Sequence, residues 1–216
     1  WKRSPPASSP PPQPGPEDGS PGSSVPEDRP VVLLHGAGMR GLSMAPLARK
    51  LRARGRKVYL FTYWPPGLPL EAYARQLSDY LKLNRGKFKH LEFDAVGHSA
   101  GGLILRRFAA VHNGPVKIRR IITLGTPHGG SELWRFAPSA LGRQLRPGGE
   151  FLRRLDEAGL PPGVEATAIS GGFDQLVVPN ANASWEGAVN HIISDSGHNR
   201  LVFHRETLRI ILEVLR

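Results

Sequence analysis

From Pro30 onward the hydrophobic pattern switches period about six times. "VVLLH" (31–35) is a short continuous apolar run, which suits a strand buried on both faces. "MAPLARKLRARG" (44–55) then has helical spacing and stops on Gly55. The alternation continues: strands are predicted at 57–64, 92–97, 117–125, 164–170 and 188–194. Helices are predicted at 70–83, at 100–112 and, as one long element, at 199–215. Residues 131–160 read as loop with one or two short helices. Such alternation specifies an α/β fold: a mostly parallel sheet of about six strands, right-handed crossovers, and helices on both faces. Ligands on such a sheet sit beyond the carboxyl ends of its strands.

Residues 1–29 are of another kind. "SPPASSPPPQPGPEDGSPGSSVPEDRP" (4–30) is almost entirely Pro, Ser, Gly and acid, so it lacks the apolar surface for a core and is expected to be a disordered tether. The catalytic domain is expected over 30–216. The chain begins at Trp1, and "WKRS" reads either as the flank of an absent targeting or anchor segment or as a boundary inside a linker. The first reading makes a secreted or membrane-associated protein the expectation, with a cytoplasmic one left open. No apolar run reaches the roughly 18 residues of a membrane span. There are no cysteines, which removes disulfides and thiolate metal sites but does not fix the compartment.

Formal net charge is +11, and the tether is slightly acidic, so the cationic excess lies on the domain. Such a field attracts anionic surfaces, and an anionic membrane is the expected partner surface. Nucleic acid is not expected, because the basic residues are scattered over helices with no interleaved aromatic platform. The chain is expected to act as a monomer. No phosphate loop, dinucleotide fingerprint or metal-ligand constellation is present, so no cofactor and no metal is expected.

Ser99 lies in "AVGHSAGG" (95–102), where a strand ends and a helix opens. With 25 Gly and 15 Ser in 216 residues, the bare G-x-S-x-G pattern arises by chance about once in five such chains. Context makes it specific. A nucleophile elbow needs small residues two before and two after the serine, and Gly97 and Gly101 meet that need. Acyl transfer also needs two backbone N–H groups aimed at the oxyanion. Ala100 follows the nucleophile, and Ala37 lies in "HGAG" (35–38), the loop after the first core strand. In this fold the chain order is Ser, acid, His. Of the eight histidines, His198 alone lies between the last strand and the last helix. Two acids compete: Asp174, after the strand at 164–170, and Asp195, after the strand at 188–194.

Together these motifs resemble an α/β-hydrolase of the bacterial lipase and esterase group over residues 30–216. The resemblance rests on "VVLLHGAG", "AVGHSAGG", "IITLGTPHGGS", "GGFDQLVVP" and "SGHNRL". It implies Asp174 rather than Asp195 as the acid, Ala37 and Ala100 as oxyanion donors, and a structural role for His128 in the loop near the site. It implies hydrolysis of acyl (lipid) esters through Ser99, Asp174 and His198, with a related acyl hydrolase or acyltransferase, such as a phospholipase or thioesterase, as the alternative. A non-catalytic module that binds anionic surfaces is the rival from another class. Some larger relatives hold calcium near the acid; here Asn180 and Asn182 bring no added carboxylate, so none is expected. The segment 131–160 exceeds a minimal connection, and its Leu133, Trp134, Phe136, Leu141 and Leu145 make it a candidate partial lid.

Overall fold

A computed structural model describes residues 29–88, 91–111 and 115–216. The expected tether, residues 1–28, lies outside the described residues. The sheet has six strands: β1 (Val31–Leu34), β2 (Val58–Phe61), β3 (Glu92–His98), β4 (Lys117–Leu124), β5 (Glu165–Gly171) and β6 (Val189–Ile193). Their order is β2-β1-β3-β4-β5-β6, and every neighbouring pair is parallel. All carboxyl ends therefore fall on one edge. The helices are α1 (Ala45–Arg52), α2 (Leu70–Leu83), α3 (Ala100–Val111), α4 (Ala140–Gln144), α5 (Glu150–Ala158) and α6 (Arg205–Val214).

Alternation along the buried strands divides the core into two layers. Val31 and Leu33 pack with Leu47 and Leu51 of α1 and with Ile210 and Ile211 of α6. Val32 and Leu34 point the other way, into a layer with Tyr73 and Leu77 of α2 and Leu103 and Phe108 of α3. The segment predicted as one helix over 199–215 is two pieces: a 3-10 turn at Asn199–Val202, then α6. His204 breaks the run. Its extended backbone caps α6, and its Nδ1 accepts the Glu206 N–H at 3.2 Å, so it stands at the helix entrance rather than inside.

An ion cluster closes the amino end of the sheet. Asp94 on β3 is fully buried, and Arg29 Nε lies 3.3 Å from its carboxylate, with Arg56 at 3.4 Å and Arg120 at 3.9 Å. Arg29 also reaches Glu92 at 3.6 Å. So Arg29, which composition groups with the tether, is itself packed into the domain. Removing one member of a buried pair typically costs about 3–5 kcal/mol. Here Arg56 and Arg120 remain, so Arg29→Ala is expected to cost about 2 kcal/mol, less than that range. Urea unfolding checks this; an unchanged midpoint would mean that the other two guanidiniums suffice.

Candidate active site

The site begins with backbone geometry at Ser99. This residue sits between β3 and α3 with φ of +53°, in the left-handed region that costs a non-glycine residue about 1–2 kcal/mol. The surroundings hold it there. Its N–H donates to Leu124 O at the end of β4 at 2.8 Å, and Thr126 Oγ1 donates to its carbonyl at 2.9 Å. The turn is possible because its glycines let backbones touch. A Cβ on Gly97 would lie 2.6 Å from the backbone of Gly101, and one on Gly101 would lie 2.6 Å from His35 O. Ser99 is half-buried and faces a cavity of about 210 Å³.

Asp174 follows β5, and its carboxylate has work for both oxygens. Oδ1 accepts the N–H groups of Leu176 and Val177 at 2.8 and 3.0 Å. Oδ2 lies 2.7 Å from Nδ1 of His198. Burial alone would raise the carboxyl pKa, but the His198 bond and the two N–H donors outweigh it and hold the group below its ordinary value. A carboxylate can only accept, so His198 carries its proton on Nδ1, leaving Nε2 as the ring's acceptor. His198 lines the same cavity as Ser99. The competing Asp195 turns elsewhere: its exposed carboxylate sits 3.2 Å from Nε2 of His204.

The loop after β1 lies against this elbow. A Cβ on Gly36 would meet His98 Nδ1 at 3.1 Å and Ser99 Cβ at 3.2 Å. Ala37 follows in an exposed turn and lines the cavity, while Ala100 is buried as the first residue of α3. First-turn N–H groups of a helix have no acceptor within it, so that of Ala100 is available to an anion.

Two histidines that sequence reasoning gave no role support these parts. His35 is buried and stacked on Tyr63, with centroids 4.0 Å apart. Its Nδ1–H donates to Gly36 O at 2.8 Å, and its Nε2 accepts the Tyr63 N–H at 3.4 Å. His98 is buried with its ring 4.8 Å from that of His198, and its Nε2–H donates to the His198 carbonyl at 3.2 Å. The one sequence signal for His98 is its place beside Ser99; its partner lies a hundred residues on. His128 belongs to a separate buried network. Arg106 donates to its Nδ1 at 3.3 Å, Thr123 Oγ1 lies 3.0 Å from its Nε2, and Trp185 stacks on its ring.

The candidate lid segment divides into two parts. Leu133, Trp134, Ala137 and Leu145 wall the cavity, whereas Phe151, Leu152 and Leu155 of α5 are buried in the core, as is Leu141. Among the described residues, no three or more His, Cys, Asp or Glu side chains are grouped to hold a metal ion.

Burial holds His98 down to about 4 from its ordinary 6.5, with the neighbouring His198 adding to the shift. Burial likewise lowers His35 and His128. Between 6.5 and about 4 His98 therefore binds more protons in the unfolded chain than in the folded one, and its contribution to stability falls as pH falls. Thermal unfolding scanned through that window should show a steadily declining Tm, with a shallower decline in His98→Gln. A flat profile would contradict neutral burial.

Comparison with known proteins gives this geometry a context. The mature form of a Bacillus licheniformis lipase superposes with a TM-score of 0.74 at 19% identity, covering 88% of this chain and 93% of that one. A monoacylglycerol lipase of Paleococcus ferrophilus gives 0.67 at 18% identity, covering 87% and 95%. An extracellular α/β-hydrolase from a Paenibacillus species gives 0.57 at 17% identity, covering 86% and 98%. At these identities the likeness is one of fold, and the fold is that of the α/β-hydrolases. Compared by sequence with curated proteins, the chain has no match. The family model of palmitoyl protein thioesterase matches residues 30–155, from the first core strand through the elbow and into α5, and the chain belongs to that family of α/β-hydrolases.

Proposed function

We propose that the protein is a serine hydrolase that cleaves acyl esters or thioesters through an acyl-enzyme. The observation that carries this reading is the 2.7 Å contact between Asp174 Oδ2 and His198 Nδ1, beside a serine with left-handed backbone on the same cavity. Ser99 Oγ attacks the acyl carbonyl carbon while His198 Nε2 takes its proton. Asp174 fixes the tautomer and stabilises the imidazolium. The N–H groups of Ala37 and Ala100 bind the oxyanion. As the bond to the leaving oxygen or sulfur breaks, His198 returns the proton to it. Water, activated by the same base, then releases the acid.

The mainly apolar wall of the cavity, from Met39 through Trp134 and Leu145 to Leu176, suits a hydrocarbon acyl chain. The family and the lipases among the structural neighbours favour a lipid acyl group as well. A secreted or membrane-associated setting belongs to this proposal; one structural neighbour is an extracellular enzyme. Among the described residues no helix is long and apolar enough to cross a membrane. The lid reading narrows to residues 132–137, since Leu141 and α5 are part of the core.

A panel of p-nitrophenyl esters of increasing acyl length, run beside an acyl thioester, tests the activity and ranks the two bond types. Ser99→Ala should abolish turnover and keep the fold. Asp174→Asn should lower kcat by about 10⁴, the loss that follows removal of an orienting carboxylate. Asp195→Asn should stay within a few-fold of the parent, because its partner is His204. An inactive Asp195→Asn with an active Asp174→Asn would overturn the assignment of the acid.

A further inference from the structure

The edge of the sheet that carries the site is built differently from the rest of the surface. Because all strand pairs are parallel, the loops after β1, β2, β4 and β5 share that edge. They present large apolar side chains to solvent: Met39 after β1, Trp64 after β2, Phe136 after β4 and Leu176 after β5. Phe136 is 83% exposed, two residues beyond the cavity wall at Trp134, and Leu176 is 50% exposed while lining the cavity itself. An exposed apolar rim around a binding cleft marks an interaction site rather than ordinary surface scatter.

The charges on this rim have a matching pattern. Each of its two tryptophans carries guanidinium on its ring. Arg40 stands 4.9 Å from the Trp64 ring centre, and Arg146 and Arg135 stand 5.7 and 5.8 Å from that of Trp134. Arg135 is neutralised by Glu132 at 3.1 Å, but among the described residues Arg40 and Arg146 have no carboxylate partner. Tryptophan is the side chain that settles where hydrocarbon meets water, and an arginine beside it reaches the phosphates above. Two such pairs, on the same edge as the exposed Phe136 and Leu176, make a surface that is apolar and cationic together.

We infer that this rim docks the enzyme on an anionic phospholipid bilayer, with the mouth of the Ser99 cavity facing the membrane. The inference deepens the proposed function by naming the surface from which the acyl substrate enters, and it rests on that reading for the use made of the cavity. Docking itself needs no turnover. Phe136, Met39 and Leu176 enter the interfacial region, Arg40 and Arg146 pair with lipid phosphates, and an acyl chain passes between them without crossing bulk water. General attraction by net charge would make no such distinction among faces.

Co-sedimentation of the protein with vesicles of phosphatidylcholine, with and without phosphatidylglycerol, tests this. The parent should bind the anionic vesicles more tightly and lose that advantage as salt rises. Arg40→Glu with Arg146→Glu should weaken anionic-vesicle binding at least tenfold, since each basic residue near such a surface contributes about fivefold. Phe136→Ser should weaken binding to both vesicle types. The control is Arg54→Glu with Arg85→Glu, which makes the same charge change on exposed positions after α1 and α2, where the chain enters the amino ends of β2 and β3. It should bind within about twofold of the parent, since charges beyond a Debye length of roughly 10 Å are screened. If the control weakens binding as much as the rim pair, or the parent does not distinguish the vesicles, rim docking is overturned. Ser99→Ala separates the two proposals: it should dock as the parent does. Loss of docking with ester turnover intact removes only the rim, and intact docking without turnover removes only the hydrolase reading.

Discussion

The left-handed backbone at Ser99 is the constraint around which the active edge is organised. A β-strand cannot pass into a helix in one residue without such a conformation, and a serine pays about 1–2 kcal/mol to adopt it. The strain persists because three neighbours over-determine it. β4 ends on the Leu124 carbonyl, the loop after it supplies the Thr126 hydroxyl, and the residue after β1 brings the His35 carbonyl so close to Gly101 that no side chain fits. The central strands β1, β3 and β4 thus act together on one residue. The same turn aims the amino end of α3 at the serine, where negative charge would develop in acyl transfer.

Around that turn, the histidines divide the labour by protonation state. His35 and His98 are buried away from carboxylate contact and are held neutral, each spending one N–H on a main-chain carbonyl. Fixed tautomers give fixed hydrogen-bond directions, so His35 shapes the Gly36 turn and His98 braces the backbone of His198. A neutral His98 also places no positive charge beside the proposed base, His198, whose ring lies 4.8 Å away. His198 alone among them has a carboxylate on one nitrogen and a cavity on its other side.

The two ends of the parallel sheet meet opposite electrostatic problems. At the amino end, Asp94 is buried and must be matched, and arginines from three separate segments converge on it. This cluster fastens the start of the domain to its middle through Arg29. At the carboxyl end the guanidiniums remain at the surface, laid over tryptophan rings. Three guanidiniums are thus used in a buried staple at one end and others stand over tryptophan rings at the other, while the rest of the cationic excess is scattered over the helices.

Local pattern determined much of this molecule in advance. A run such as "VVLLH" is short and continuously apolar, which suits a buried strand, and the alternation of strand-like runs with helical repeats leaves few alternatives to a parallel sheet. The elbow, too, is a local object, since its glycines are neighbours of Ser99. The break before α6 was hidden because residues 199–202 carry helical spacing, while His204, an uncommon cap, stops the helix through its own ring nitrogen. The contacts that tertiary structure alone decided share one property: their partners are far apart in the chain and obey no period. Asp174 and Asp195 both follow strands and both precede His198. The choice between them turns on how the loop after β5 folds back, offering Leu176 and Val177 N–H groups to one carboxylate and leaving the other to His204. The braces from His35 and His98, and the gathering of Trp64, Trp134 and their arginines on one edge, likewise depend on loops brought together by strand order. Side-chain spacing encodes which face of an element is apolar; it does not encode which distant loop that face will meet.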